Sequence, residues 1–321
     1  MSAKKQTPNF EPLLLTGESQ KEKVDEIMER LKEGIENILT SDKYKEYLTV
    51  LSKFPKYSIN NCFLIEMQMS EATLVKGYRA WQNDFGRHVR KGEKAIKILA
   101  PAPYSVTVEV DKTDKAGNRL KDVSGKPGKA TCPLKPVKTE KKIDCVGFRV
   151  VSVFDISQTE GPDLPLPPDI TLKDGVDYFN ELFCALEKIS PVPVSIEPFK
   201  GTSAKGIFVR YNDGDGRIVI RAGESELQQV KTLIHELAHA FLEDHQKNMS
   251  TVSKEFEAES VAFSVCNYID LNTSDYSLDY VTEWAQERST QEIKERLGII
   301  HDTTTKILDA LRETGLAKAA A

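Results

Sequence analysis

The chain has 321 residues, 40% hydrophobic and 29% charged, which suits a soluble globular protein with room for two domains of ordinary size and argues against a fibrous or disordered class. A polar start, "MSAKKQTPNF", followed by the short apolar run "PLLLTG", argues against a signal peptide or a membrane span there, so a cytoplasmic protein without a membrane partner is expected. Five scattered cysteines (Cys62, Cys132, Cys145, Cys184 and Cys266) form no C-x-x-C pair, which argues against a disulfide framework or a thiolate zinc cluster.

The net charge of −5 hides a strong polarity. Residues 51–150 carry 20 Lys/Arg against 10 Asp/Glu, whereas residues 151–321 carry 16 against 29. A basic first half suits a polyanionic partner, and an acidic second half needs another task; a solvated basic surface is the alternative.

Along the chain, Val24, Ile27, Leu31, Ile35 and Ile38 recur at helical spacing, so residues 21–52 are expected to form amphipathic helix. "NNCFLIEMQM" after Asn60 reads as a second helical run. "AIKILAPAPYSVTVEV" and "CVGFRVVSVFDIS" read as strands, and the Lys-, Gly- and Pro-rich residues 112–142 between them as a mobile basic arm. A Pro and Gly cluster after "FDISQTEG" places a linker near residue 165. The expected domains are therefore 1–165 and 166–321.

The second domain reads as a helix over 174–189, a strand "PVSIEPF", and two strand-like runs in "GIFVRYNDGDGRIVIRAG" around an Asn-Asp-Gly turn. Ser225, with Gln228 three residues on, predicts a capping box and the start of a further helix. That helix carries "KTLIHELAHAFLED", residues 231–244. One turn apart on one face, His235 and His239 can converge on a cation, and Glu236 is placed to act as a general base on water. A third ligand is expected from "SKEFEAESVAFSVCNYI". Glu255 and Glu259 share a face, so Glu255 is assigned as ligand and Glu259 as the carboxylate that orients a histidine, with the reverse assignment open. Glu257 faces elsewhere and reads as a solvated residue, and His245 as a surface histidine. Tyr276 or Tyr280 is a candidate extra donor.

The pattern H-E-x-x-H followed by Glu255, Ala258, Glu259 and Ala262 resembles the gluzincin-type zincins of the ImmA/IrrE group. The resemblance implies a zinc metallopeptidase with one Zn²⁺ per chain, in which "GRIVIRAG" borders the cleft. In the first half, Tyr57, Tyr78, Trp81 and Phe85 interleave with Arg79, Arg87, Arg90, Lys91 and Lys94, the composition that stacks bases and neutralises phosphates, although aromatic residues also fill cores. "YSINNCFLI", "GYRAWQNDFGRHVRKGEKAIKILAP" and "VFDISQTEG" resemble, in that order, the amino-terminal domain of ArdC-type antirestriction proteins.

Together the resemblances imply an α+β protein of two domains. A single-stranded DNA-binding domain (Tyr57, Asn61, Tyr78, Trp81, Arg87, Arg90, Lys91 and Lys94 as contacts) is fused to a minimal zincin domain, in an antirestriction role on a conjugative or other mobile element. Two other readings stay open: a regulatory protease whose substrate is a DNA-associated repressor or restriction subunit, and a DNA-coating protein whose metal site is not catalytic.

Overall fold

The computed structural model describes residues 10–37, 41–111, 138–164, 176–199, 203–211, 214–271, 278, 284–285 and 288–315. Most of the basic arm, the linker near 165, and Tyr276 and Tyr280 lie outside the described residues. The molecule has two α+β domains.

The first amphipathic segment is two helices, α1 (Gln20–Asn37) and α2 (Ser41–Lys53). Ile27, Leu31 and Ile35 of α1 are buried at the predicted spacing. Ser58 caps α3 (Ile59–Gln68), accepting a hydrogen bond from the Asn61 N–H, and this short helix buries Cys62, Phe63, Leu64 and Ile65. Next come β1 (Val75–Gly77), α4 (Tyr78–Phe85) and β2 (His88–Val89). β3 (Ile96–Asp111) and β4 (Lys138–Asp155) form a long antiparallel ribbon, and β1 pairs the other side of β4. β4 thus begins seven residues before the strand read from the sequence. Its start, "KTEKKID", has no apolar alternation, so its pairing with 105–111 left no local signal.

The outer edge of β3 is covered by side chains instead of another strand. Asn61 donates to the Leu99 carbonyl and accepts from the Leu99 N–H, both at 2.9 Å. Gln68, two turns on, does the same at Lys97, at 2.9 and 2.8 Å. Two amides on one face of α3 therefore satisfy the strand's free backbone groups and block edge pairing there. Asp155 ends β4 by capping a 3-10 turn over Ile156–Gln158 and accepting from the Thr73 and Leu74 N–H groups. β5 (Thr159–Glu160) then pairs with β2.

In the second domain, α5 (Val176–Ile189) precedes a three-stranded sheet of β6 (Val194–Glu197), β7 (Gly206–Arg210) and β8 (Gly216–Arg221). The order is β6-β8-β7, so "GRIVIR" is central and "GIFVR" is the edge. The helices α6 (Glu226–Leu242), α7 (Thr251–Tyr268) and α8 (Thr290–Glu313) complete the domain. Ser225 accepts from the Gln228 N–H, but the Gln228 amide turns to Thr232 and Lys205, so only half of the capping box forms.

One apolar core runs through both halves. Tyr44 of α2 stacks on Phe256 of α7 at 5.3 Å, and its hydroxyl meets Ser260 Oγ at 2.9 Å. Asn267 donates to Ser52 Oγ at 2.8 Å, and Thr305 of α8 donates to the Pro55 carbonyl at 3.0 Å. No helix of the described residues is long and apolar enough to cross a membrane.

Candidate metal centre

α6 is held by one face and used by the other. Val230, Leu233, Ile234, Leu237 and Ala238 are buried, which turns His235 and His239 towards the N-terminal end of α7. There Glu255 closes a triangle. His235 Nε2 and His239 Nε2 are 3.2 Å apart, and the Glu255 carboxylate oxygens lie 3.3 Å from the first and 3.4 Å from the second. Ligand bonds of about 2.0–2.1 Å at tetrahedral angles would set donor atoms about 3.3–3.4 Å apart, which the two ring nitrogens match, while the carboxylate turns one oxygen to each ring and keeps one donor atom within 4.8 Å of both. Two ring nitrogens and a carboxylate are also the donor set of catalytic sites that keep a fourth position open. The residues present therefore fit a divalent cation, and it is Glu255, not Glu259, that completes the triangle.

The electrostatics agree. Burial alone would lower the His235 pKa, but the Glu255 hydrogen bond and the Glu236 charge outweigh it, and the net shift is upward. The two histidines hold the half-exposed Glu255 carboxyl well below the usual range, against its partial burial. The carboxylate charge that raises His235 is also charge that attracts a cation. Glu236 is buried, and burial pushes its carboxyl up, opposed by the two histidines and by the Phe208 N–H, which donates to it. Glu259 lies one turn beyond Glu255 on the cleft wall, its Oε2 buried without a hydrogen-bond partner.

A cleft of about 720 Å³ opens over these groups, walled by β7, α6 and α7. Arg221 N–H donates to the Lys205 carbonyl, and the register pairs Ile207 with Val219, so the odd-numbered residues of this edge bond β8. The backbone groups of Gly206 and Phe208 consequently point away from β8, to the open edge of the sheet. Gly206 is needed for the approach of β7 to α6. A Cβ there would lie inside contact distance of Thr232 Cγ2 and 2.8 Å from Glu236 Oε1. The expectation that "GRIVIRAG" borders the cleft is thereby corrected: β8 is enclosed by both neighbours, and β7 takes that place.

Glu257 is also unlike its sequence reading. It is fully buried, accepts from Gln246 Nε2 at 3.1 Å and pairs with Arg296 Nη1 at 3.4 Å, because α8 packs over the face that looked solvated. His245 is exposed, as expected.

In the first domain, the residues expected at DNA separate by exposure. Trp81 is 0% exposed and donates from Nε1 to the Phe154 carbonyl at 2.8 Å. Asn61 is buried on β3, and the Tyr57 hydroxyl donates to the Val75 carbonyl. The buried Arg87 guanidinium donates to Thr159 Oγ1 and to the carbonyls of Thr159, Gly161 and Pro162. Lys91 and Lys94 are exposed, Arg90 pairs with Glu93 at 2.7 Å, and Tyr78 is 58% exposed. Tyr104 and Phe148 on the ribbon are also open to solvent, 54% and 52% exposed, which sequence reasoning did not single out. Their signal was an aromatic residue on a strand flanked by Pro, Gly and Arg rather than by apolar neighbours.

An H-E-x-x-H helix facing an edge strand, with a carboxylate from the next helix and an α+β domain alongside, defines a protein with a peptidase-like metal site and an appended domain. Residues 18–141 match the family model for the N-terminal domain of anti-restriction factor ArdC, and residues 190–302 match that for the IrrE N-terminal-like domain, M78 peptidases. The chain therefore joins an ArdC-type N-terminal domain to an IrrE-like domain. It is similar to an uncharacterized protein of Bacillus anthracis, 27% identical over 329 residues that cover 96% of this chain, and it spans about half (53%) of that relative's length. Among solved structures, antirestriction ArdC protein from R388 plasmid is similar in its metal-free form, with 19% identity, TM-score 0.44, and 80% and 85% of the two chains covered. Its Mn(II)-bound form gives 15% identity, TM-score 0.46, and 90% and 97% coverage.

Proposed function

We propose that this is an antirestriction-type protein of a mobile element, which holds single-stranded DNA on its first domain and hydrolyses a peptide bond at the metal site of its second. The ligand triangle beside a buried carboxylate carries the catalytic part of this reading, since a purely structural site has no use for Glu236. His235, His239 and Glu255 would hold the cation, which we take to be zinc; when bound it supplies Lewis acidity and brings the pKa of water towards about 7.

The chain's own groups do the rest. An extended peptide lies along β7, where the Gly206 backbone and the Phe208 carbonyl offer hydrogen bonds. The Phe208 N–H fixes the Glu236 carboxylate, which takes the proton from the attacking water and returns it to the leaving nitrogen. The raised pKa of Glu236 makes it a stronger acceptor than a solvated carboxylate, and Glu259 stands by to orient His235.

On the first domain, contacts to DNA are proposed at Tyr78, Arg90, Lys91 and Lys94, extended by Tyr104 and Phe148. Tyr57, Asn61, Trp81 and Arg87 hold that surface in shape. Their exposure supports this division, because stacking requires an open ring face and phosphate neutralisation a reachable cation. The test is Glu236→Gln: peptide hydrolysis should fall by about 10²–10⁴-fold with metal content unchanged. If DNA protection by the variant equals that of the unaltered protein, the coating reading replaces the catalytic one.

A further inference from the structure

The charge lining the cleft extends this reading to a substrate class. Apart from the metal group and its carboxylates, the ionisable side chains of the described cleft wall are Lys205, Lys231 and Lys254. With Glu236, Glu255 and Glu259 counted, three lysines balance three carboxylates, in a half of the chain that carries 29 acidic residues against 16 basic ones. Their placement is regular. Lys231 precedes His235 by one turn of α6, Lys254 directly precedes the ligand Glu255 on α7, and Lys205 directly precedes the edge strand at Gly206. Lys205 is exposed with its Nζ steadied by Gln228 Oε1 at 2.9 Å, Lys254 is half-buried, and the buried Lys231 shapes the wall between them.

We propose that the cleft selects acidic peptide segments, with aspartate or glutamate side chains on the substrate meeting Lys205 and Lys254 on either side of the bond over the metal site. This rests on the peptidase reading above. A peptide, rather than a nucleic acid, is favoured by the wall itself. The wall presents strand backbone for pairing, and its one aromatic ring among the described residues, Phe208, already lies under the Arg210 guanidinium at 5.5 Å.

The experiment uses the full chain as Glu236→Gln and three labelled, unstructured decapeptides carrying four glutamates, four glutamines or four lysines. Fluorescence anisotropy should show the glutamate peptide binding about tenfold tighter than the glutamine one at low salt, and the advantage should vanish with added salt. Lys254→Glu and, separately, the exposed Lys205→Glu should each erase most of that advantage, with folding checked by circular dichroism. Equal binding of the three peptides would overturn the proposal. So would an advantage that survives both substitutions, which would put the peptide on the basic first domain. An oligothymidylate that displaces the peptide from the parent chain but not from Lys254→Glu would reassign the cleft to DNA. Cleavage by the unsubstituted chain keeps the two readings apart. Glutamate-selective binding without cleavage leaves this inference standing and removes the peptidase, whereas equal cleavage of the glutamine peptide removes only the inference.

Discussion

Replacing Gly206 with alanine tests the geometry of the cleft most directly. Gly206 has no positive φ, so conformation does not require glycine there; space does. The added methyl would lie 2.8 Å from Glu236 Oε1, 2.9 Å from Glu236 Cγ and closer still to Thr232 Cγ2. Ordinary contact distances of about 3.5–4.0 Å then require β7 and α6 to part by about 1 Å. Overpacking of this kind costs about 1–3 kcal/mol of stability. A misplacement of about 1 Å at a reacting group costs on the order of 10² in rate, because the Phe208 N–H is drawn away from Glu236. Urea unfolding gives the first number and peptide hydrolysis the second. Adding Thr232→Ser removes the nearest methyl, so Gly206→Ala/Thr232→Ser should recover part of the stability but little of the rate, since the Glu236 contacts persist. A Gly206→Ala protein with unchanged unfolding midpoint and unchanged rate would refute this account of how the strand approaches the helix.

Removing the Glu255 ligand by Glu255→Gln should weaken zinc binding by at least about 10²-fold in a chelator competition, and an unchanged affinity would return the ligand role to Glu259. Trp81→Ala should destabilise the chain by about 3–5 kcal/mol in a denaturant titration, because it empties a buried indole site and orphans the Phe154 carbonyl; a loss of DNA affinity at unchanged stability would instead place the ring on the DNA. Glu66 is pushed up to about 7 by burial and then by the Glu46 charge, with Lys43 opposing. A carboxyl that holds its proton more tightly folded than unfolded makes folding less favourable as pH rises from about 4.5 to 7. After discounting for partial exposure, the chain should therefore lose about 1–2 kcal/mol relative to Glu66→Gln across that window. A stability difference constant from pH 4.5 to 8 would contradict it.

That His235 and His239 would meet a carboxylate from the next helix was legible because two imidazoles on one turn and a carboxylate pair at i and i+4 are local facts of spacing, and spacing survives folding. What depends on a distant partner was not legible. Glu257 looked solvated because Arg296, which it meets, is 39 residues further on. Trp81 and Arg87 looked ready for DNA because nothing nearby announced the Phe154 and Thr159 carbonyls that take their N–H groups. Both strands of the 206–221 hairpin were visible, but which of them would be the edge was decided by β6, whose parallel pairing with β8 has no signature in either run. The early start of β4 was hidden for a related reason, since a run with one apolar residue in seven has no periodicity to read.

The contact of α2 with α7 bears on how such proteins can diversify. One side of α7 presents Glu255 to the cleft, while the side carrying Phe256 and Ser260 is matched to Tyr44 of the first half. Exchange between relatives that separates the two matched domains would pair a Tyr44 helix with a foreign α7, opening a void or leaving a buried hydroxyl unmet beside Glu255. Recombinants that keep function should therefore inherit α2 and α7 together, although more than two hundred residues separate Tyr44 from Ser260, and drift at one should be answered at the other.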